Sequence, residues 1–390
     1  LHFRFPTIAL LVLNKIVQVR GGMTMKVEKR LLRLWVLGTF SIGAAAIFMP
    51  SEARACIVDN DGTFLDPNCY IGGAANGAIV DTSLDALHDI VDDIVEADVG
   101  PAKAVPPAPV QTAPFGVFAS GQFAHTEHDG FKISNSVDTF DGPHFDVDEF
   151  SAAISVDFNA AKHFGFDNEH GLNLGLFGGY ASAKVGVDAF EFFSGGDATN
   201  RSGMFGGYGL YRHDTSYMLV AASAFLGNTD VDRGRQFGSY DTQGYAITGS
   251  VGRIFNLTDR VRFDLRGGLL GVTFTGDAYE DNFGTDYGKS RLSFGAVKFE
   301  PGIYADFQLG NGMVISPYAR ADVQQRFGYS NTASVEGVES EFDDADFSVA
   351  LYSGFNLKMT SSTTLSTEIR GKWSADSTTI SGKLGLKIAF

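Results

Sequence analysis

Twelve segments between Phe115 and Phe390 alternate apolar and polar side chains with a period of two, and their connections alternate between long and short. The segments run over 115–126, 146–159, 171–186, 200–213, 216–228, 241–255, 261–275, 290–308, 313–327, 345–358, 364–374 and 379–390. Each is long enough to cross a bilayer at a tilt, which takes about 9 to 11 residues. The even-numbered connections read Asn159 to His170, Asp214 to Thr215, Asn256 to Asp259, Leu309 to Gly312 and Thr360 to Thr363; all but the first are tight and rich in turn-forming residues. The odd-numbered ones are longer: His128 to Phe145, Val187 to Thr199, Asn228 to Tyr240, Gly276 to Lys289 and Gly328 to Asp344, with only Ala375 to Thr378 short. A membrane barrel has short turns at one rim and long loops at the other. A soluble meander has no reason to keep that rhythm. The expected fold is an all-β membrane protein, a twelve-stranded antiparallel transmembrane β-barrel.

The faces of the segments agree. In the ninth, Ile315, Pro317, Ala319, Ala321 and Val323 oppose Tyr318, Arg320, Asp322 and Gln324. Lipid cannot host the second set, so it must face a lumen. Arg262, Asp264 and Arg266 of the seventh segment and Glu368, Arg370 and Lys372 of the eleventh join it. Mixed signs favour a cross-braced, partly filled interior over an ion-selective one.

Composition narrows the function. A formal net charge of -16 excludes a nucleic-acid partner, because phosphates need a basic surface. His125, His128, His144, His163, His170 and His213 are scattered over loops and strand ends and read as solvated or interfacial. There is no Gly-x-Ser-x-Gly elbow and no His-Glu-x-x-His spacing. Gly288-Lys289-Ser290 resembles the end of a phosphate loop, but Phe283 stands where the first glycine belongs. No enzyme activity, cofactor or metal is expected. The acidic loops, with Asp138, Asp141, Asp146 and Asp148, then Asp277, Glu280, Asp281 and Asp286, then Glu336, Glu339, Glu341, Asp343 and Asp344, read as solvated. Bridging of lipopolysaccharide phosphates by divalent cations is the alternative.

Upstream, residues 1–24 read as an over-extended gene start. Residues 25–55 have the form of a secretory signal: Lys26, Lys29, Arg30 and Arg33, an apolar run from Leu34 to Met49, and Ala53-Arg54-Ala55 before the expected cleavage. Such a leader implies the Sec translocon and an oxidising compartment, where Cys56 and Cys69 are expected to form a disulfide. Within a short segment, 56–100, helical periodicity runs from Thr82 to Val99. That helix either packs on something nearby or enters the barrel. Residues 101–114, with five prolines, read as a stiff linker to the barrel at 115–390.

The chain ends on Leu384, Leu386, Ile388 and Phe390 alternating with Lys383, Gly385, Lys387 and Ala389. Lys383, Gly385, Ile388 and Phe390 resemble the terminal signal read by the bacterial barrel-assembly machinery. With the leader, the helix and the strand count, the chain resembles the translocator β-domain of bacterial autotransporters, the type V secretion family. That resemblance implies a Gram-negative outer membrane, both barrel termini periplasmic, lipid and lipopolysaccharide as surroundings, and a monomer that passes an N-terminal passenger to the surface. Between Cys56 and Pro114 there is too little chain for a β-helical stalk, so the passenger is expected to be reduced or absent. No Asn-Asn pair lies in the helix, so no self-release is expected. A passive diffusion channel and a surface adhesion or structural barrel acting through its loops are the competing readings.

Overall fold

The structure, a computed structural model, describes residues 67–99 and 115–390, apart from 135–138, 162, 166–169, 190–194 and 311. The expected gene start, signal peptide and proline-rich linker lie outside the described residues, as does Cys56 of the expected disulfide.

Twelve strands form a closed antiparallel barrel: β1 (Phe115–His128), β2 (Phe145–Asn159), β3 (His170–Val187), β4 (Gly196–His213), β5 (Ser216–Arg233), β6 (Gln236–Asn256), β7 (Val261–Gly276), β8 (Ser290–Ala305), β9 (Val314–Val335), β10 (Phe347–Lys358), β11 (Thr363–Ser374) and β12 (Ser377–Ala389). Each pairs with its sequence neighbours, and β1 pairs with β12 from Gly116↔Ala389 to His128↔Ser377. Closure leaves no strand edge unsatisfied in lipid. The N–H of Phe390 donates to the Phe115 carbonyl at 2.9 Å, so the last residue seals the first. Gly385 is small for the same reason: a Cβ there would lie 2.9 Å from the Phe118 ring and 2.3 Å from Ser366 Oγ.

Alternation explains the two faces. Phe123, Leu176, Ile369 and Ile380 stand exposed on the outside, while Phe118, Tyr208, Phe225 and Tyr352 are buried inside.

All five of the expected long loops are partly strand. The connection expected between Asn228 and Tyr240 is the tip of the β5–β6 hairpin, which turns only at Gly234 and Arg235, with Gly234 at φ 74°. Its outward residues, Phe237 apart, become polar, Asn228, Asp230, Asp232, Ser239 and Asp241, while Val231 and Tyr240 stay buried. Strand pairing thus continues past the apolar band, where outward side chains turn polar, and the sequence pattern fades there. Likewise β9 runs on to Val335, turns at Glu336 (φ 49°) and Gly337 (φ 77°), and returns as Val338–Asp343. That returning strand pairs with Lys132–Ser134 of the first connection, which itself pairs with Thr139–Asp141. These hairpins fold over the long-loop rim.

The helix α1 (Pro67–Val99) lies inside the barrel, with its backbone nearest β1 to β5 and β7 to β9 and its side chains also reaching Tyr352 of β10 and Arg370 and Lys372 of β11. It begins at Pro67 rather than at the expected Thr82. Residues 72–78 read Gly-Gly-Ala-Ala-Asn-Gly-Ala, poor in helix propensity and without a one-sided apolar stripe. Enclosure accounts for both. Ile71, Ala74, Ala75, Ile79 and Val80 are buried around the helix, as an all-round core helix requires. A Cβ on Gly73 would lie 2.9 Å from the Phe342 ring, so bulk is excluded where the hairpins close in.

Candidate functional site

The site is the interface between α1 and the barrel wall, and it has two levels. At the long-loop rim Tyr70 is fully buried against Phe131, Phe145 and Phe342, with ring centroids 5.9, 6.3 and 5.9 Å away. Its hydroxyl donates to the Pro143 carbonyl at 2.6 Å and accepts from the N–H of Phe131 at 3.0 Å. Just below, Asn331 Nδ2 donates to the Gly73 carbonyl at 3.1 Å, and Ser290 Oγ donates to Asn76 Oδ1 at 3.3 Å. The rim hairpins are braced by Asp344, which accepts from Arg326 at 2.7 Å and lies 3.3 Å from His128 Nε2. Burial pushes the Asp344 carboxyl up, but the His128 hydrogen bond and the Arg326 charge outweigh it and hold it well below the ordinary range. Glu341 goes the other way: burial, then Asp343 and Glu339, raise it.

Deeper in the barrel the helix turns ionic. Asp81, Asp85, His88 and Asp92 follow at steps of four, three and four, which aligns them on one stripe. Lys372 Nζ lies 3.5 Å from Asp81, and Arg370 pairs with Asp85. Asp92 is held by Arg266 and Arg320 from two different strands and by His88 at 2.9 Å. Around these runs a second tier. Arg266 also pairs with Glu300, Arg320 reaches Glu368 at 3.1 Å, and Tyr318 donates to Glu368 at 2.8 Å. Tyr352 lies under the Arg320 guanidinium, 4.3 Å from its ring centroid. Asp92, Arg266, Arg320, Glu300, Glu368 and Arg370 are buried, Asp81, Asp85, His88 and Lys372 partly so, and each charge meets an opposite one.

Of the nine residues expected to face the lumen, Arg266, Arg320, Arg370 and Lys372 touch α1 directly. Asp322 accepts from Lys298 at 2.9 Å, and Glu368 braces Arg320. Arg262 pairs with Asp306 at 3.3 Å, and Asp264 accepts from the Tyr217 hydroxyl at 2.8 Å; both contacts lie within the wall. At the C-terminus Lys383 is buried opposite Glu368, Gly385 faces inward, and Ile388 and Phe390 stand outside.

Reading the sequence missed Tyr70, Asn76, Lys298, Glu300 and Asn331. Lys298 and Glu300 follow the same alternation as Arg266 and were within reach. Tyr70 and Asn331 carry no local signal, because only the folded hairpins bring them together. His88, Glu300 and Asp322 offer ligand atoms within 4.8 Å of one another. Lys298 Nζ already sits among them, 2.9 Å from Asp322 and 3.3 Å from Glu300, so an ammonium fills the place of a cation. Among the described residues, the space between α1 and the wall at this level is a cavity of about 60 Å³, room for a few waters rather than a solute.

The arrangement is that of a barrel with a helix locked through it. A sequence profile described as the autotransporter beta-domain matches residues 117–370. Among solved structures, the chain is similar to the transport unit of the autotransporter AIDA-I from Escherichia coli, with TM-score 0.56 and 18% identity over 70% of this chain and 90% of that one. It is similar to the translocator domain of the autotransporter NalP from Neisseria meningitidis, with TM-score 0.54 and 12% identity over 83% and 100%. The β-domain of the Bordetella autotransporter BrkA matches with TM-score 0.52 and 17% identity over 71% and 100%. No curated protein sequence matches the chain.

Proposed function

This chain belongs to the autotransporter β-domain family, and from that premise we propose that its barrel holds a reduced N-terminal segment at the cell surface, with α1 as the tether. As an autotransporter barrel it is a Gram-negative outer-membrane protein and depends on the barrel-assembly machinery of that membrane. The observation that carries the proposal is the course of α1. Its Tyr70 end lies among the long loops, and Asp92 lies deeper, beside Arg266 and Arg320. With long loops outside, as in outer-membrane barrels generally, the chain ahead of Pro67 emerges at the surface and both barrel termini are periplasmic.

In this reading residues 25–55 direct Sec export, Lys383, Gly385, Ile388 and Phe390 form the assembly signal, and Cys56 of the exposed segment bridges Cys69 in the first turn of α1. The barrel acts as a monomer in lipid and lipopolysaccharide and has no enzymatic role. A porin-like channel is less well supported, because α1 occupies the route a solute would take.

An epitope inserted after Asp66 tests the reading. Antibody added to intact cells is expected to bind it. Binding only after the outer membrane is permeabilised would overturn the proposal. In planar bilayers the refolded chain is expected to stay silent, whereas a version beginning at Phe115 conducts steadily; steady conductance by both would favour the channel.

A further inference from the structure

The outer face of the barrel carries a cluster that the tether leaves without a task. His125 and Glu127 of β1 and Asp129 just beyond it alternate along one strand direction, as do His144, just ahead of β2, and Asp146 and Asp148 within it. Period two puts all six on the outside, and all six are exposed. Register sets His125 opposite Asp148 and Glu127 opposite Asp146. His125 Nδ1 lies 2.8 Å from Asp148 Oδ1, and His144 Nδ1 lies 3.6 Å from Asp129 Oδ1. The ladder therefore has a histidine–carboxylate rung at each end and two carboxylates facing each other in the middle.

That middle rung is unfavourable by itself, since like charges directly opposite in a sheet repel. Lys184, across from Asp148 on β3, is the nearest basic group in register, and it lies 3.9 Å from Asp197. Nothing basic stands opposite Glu127 or Asp146 on the neighbouring strands, where Thr378 and Gly186 are their partners. The Phe123 and Phe150 rings, 4.9 Å apart, stand next along the same face on the side of the apolar band. The ladder thus begins where the hydrocarbon ends.

We propose that this ladder is a binding site for a divalent transition-metal ion, Zn²⁺ foremost. Imidazole combined with carboxylate suits Zn²⁺ and its first-row neighbours, whereas Mg²⁺ and Ca²⁺ prefer all-oxygen sets. Opposed Cβ atoms in an antiparallel pair are about 4.5 to 5.5 Å apart, and diagonal neighbours about 7 to 8 Å, still within reach of long side chains. Zinc–ligand bonds are about 2.0 to 2.2 Å. His125, Asp148 and one central carboxylate can therefore converge on one ion by turning exposed side chains, with no backbone movement. His144, Asp129 and the other central carboxylate offer the inverted arrangement. Either ion would relieve the Glu127–Asp146 opposition and clip β1 to β2 beside the closing β1–β12 pair. The expectation of no metal rested on helical zinc spacing; here the ligands repeat every second residue, as a strand demands.

Titration of zinc chloride into the full refolded chain in detergent, followed by calorimetry, tests the site. A saturable step is expected for the wild type, lost in the pair variant His125→Gln with His144→Gln and weakened in Glu127→Gln with Asp146→Asn. Zn²⁺ is also expected to raise the unfolding midpoint of the wild type and not of the histidine pair, because a ligand that binds only the folded state stabilises it. Heat-modifiable gel mobility checks that every variant remains a folded barrel, and the carboxylate pair decides the matter if the histidine pair fails. No saturable step in the wild type, or an equal step in both pair variants, overturns the proposal. So does a step abolished only by His88→Gln, which would move the ion to the lumen.

Discussion

From Tyr70 to Val80, α1 meets rings, methyl groups and loop carbonyls; from Asp81 to Asp92 it meets guanidinium and ammonium groups on the wall. The two halves are held by different physics. Packing at the Tyr70 end gains from every apolar surface removed from water and is indifferent to salt. Buried ion pairs lose in desolvation much of what they gain in attraction, so the Asp92 end adds less stability than its contacts suggest. Breaking one partner is another matter, since it strands a charge. The apolar half supplies grip, and the ionic half supplies register: only one rotation of the helix sets Asp81, Asp85 and Asp92 against Lys372, Arg370 and the Arg266–Arg320 pair.

Either half of α1 can be loosened on its own. Tyr70→Ala is expected to cost most, about 3 to 5 kcal/mol for a large buried ring, and to leave the Pro143 carbonyl and the Phe131 N–H without their partner. Amide exchange over the first half of α1 should quicken strongly, with little change near Asp92. Asp92→Ala should cost about 3 kcal/mol, the lower end for a broken buried pair, since Glu300 and Glu368 still accompany the arginines. Its signature is intermittent conductance in a planar bilayer, and a silent variant would show that the apolar half alone keeps the pore shut. Gly73→Val comes next, about 1 to 3 kcal/mol from overpacking against Phe342. Proteolysis of the 338–343 hairpin reports it.

Acid gives the smallest and most selective effect. The Asp344 carboxyl titrates below its unfolded value, so its bracing of the rim is fully present above the ordinary carboxylate range. It is lost as pH falls through the lowered folded value. Loop protection measured by amide exchange should therefore hold at pH 5 and fall only in strong acid. Glu341, whose carboxyl is raised, works in the opposite sense: it costs stability as pH rises through its folded value. Asp344→Asn should remove the first dependence and leave the second.

Much of the wall was legible from alternation alone. A strand facing lipid on one side and side chains on the other must write that contrast into every second residue, so β7, β9 and β11 announced Arg266, Arg320 and Arg370 without any structure. The rhythm of short turns and long connections announced the barrel for the same reason. The pattern failed where the contrast disappears. Above the apolar band the outward residues of β5 and β6 are as polar as a loop, so paired strand was read as connection. Inside the barrel, the first half of α1 is enclosed on all sides, so it has no polar face to write.

What the sequence determined by itself is therefore whatever borders two different solvents: twelve strands, their outward and inward faces, and the charged character of the interior. What only the tertiary structure decided is whatever borders protein on every side. The length of α1, its passage through the barrel, the Tyr70 cage and the pairing of Asp92 with arginines from the two strands that flank β8 all depend on surfaces that meet after the barrel closes. Such contacts leave no periodic trace, because complementarity between remote segments is not carried by the spacing within either one.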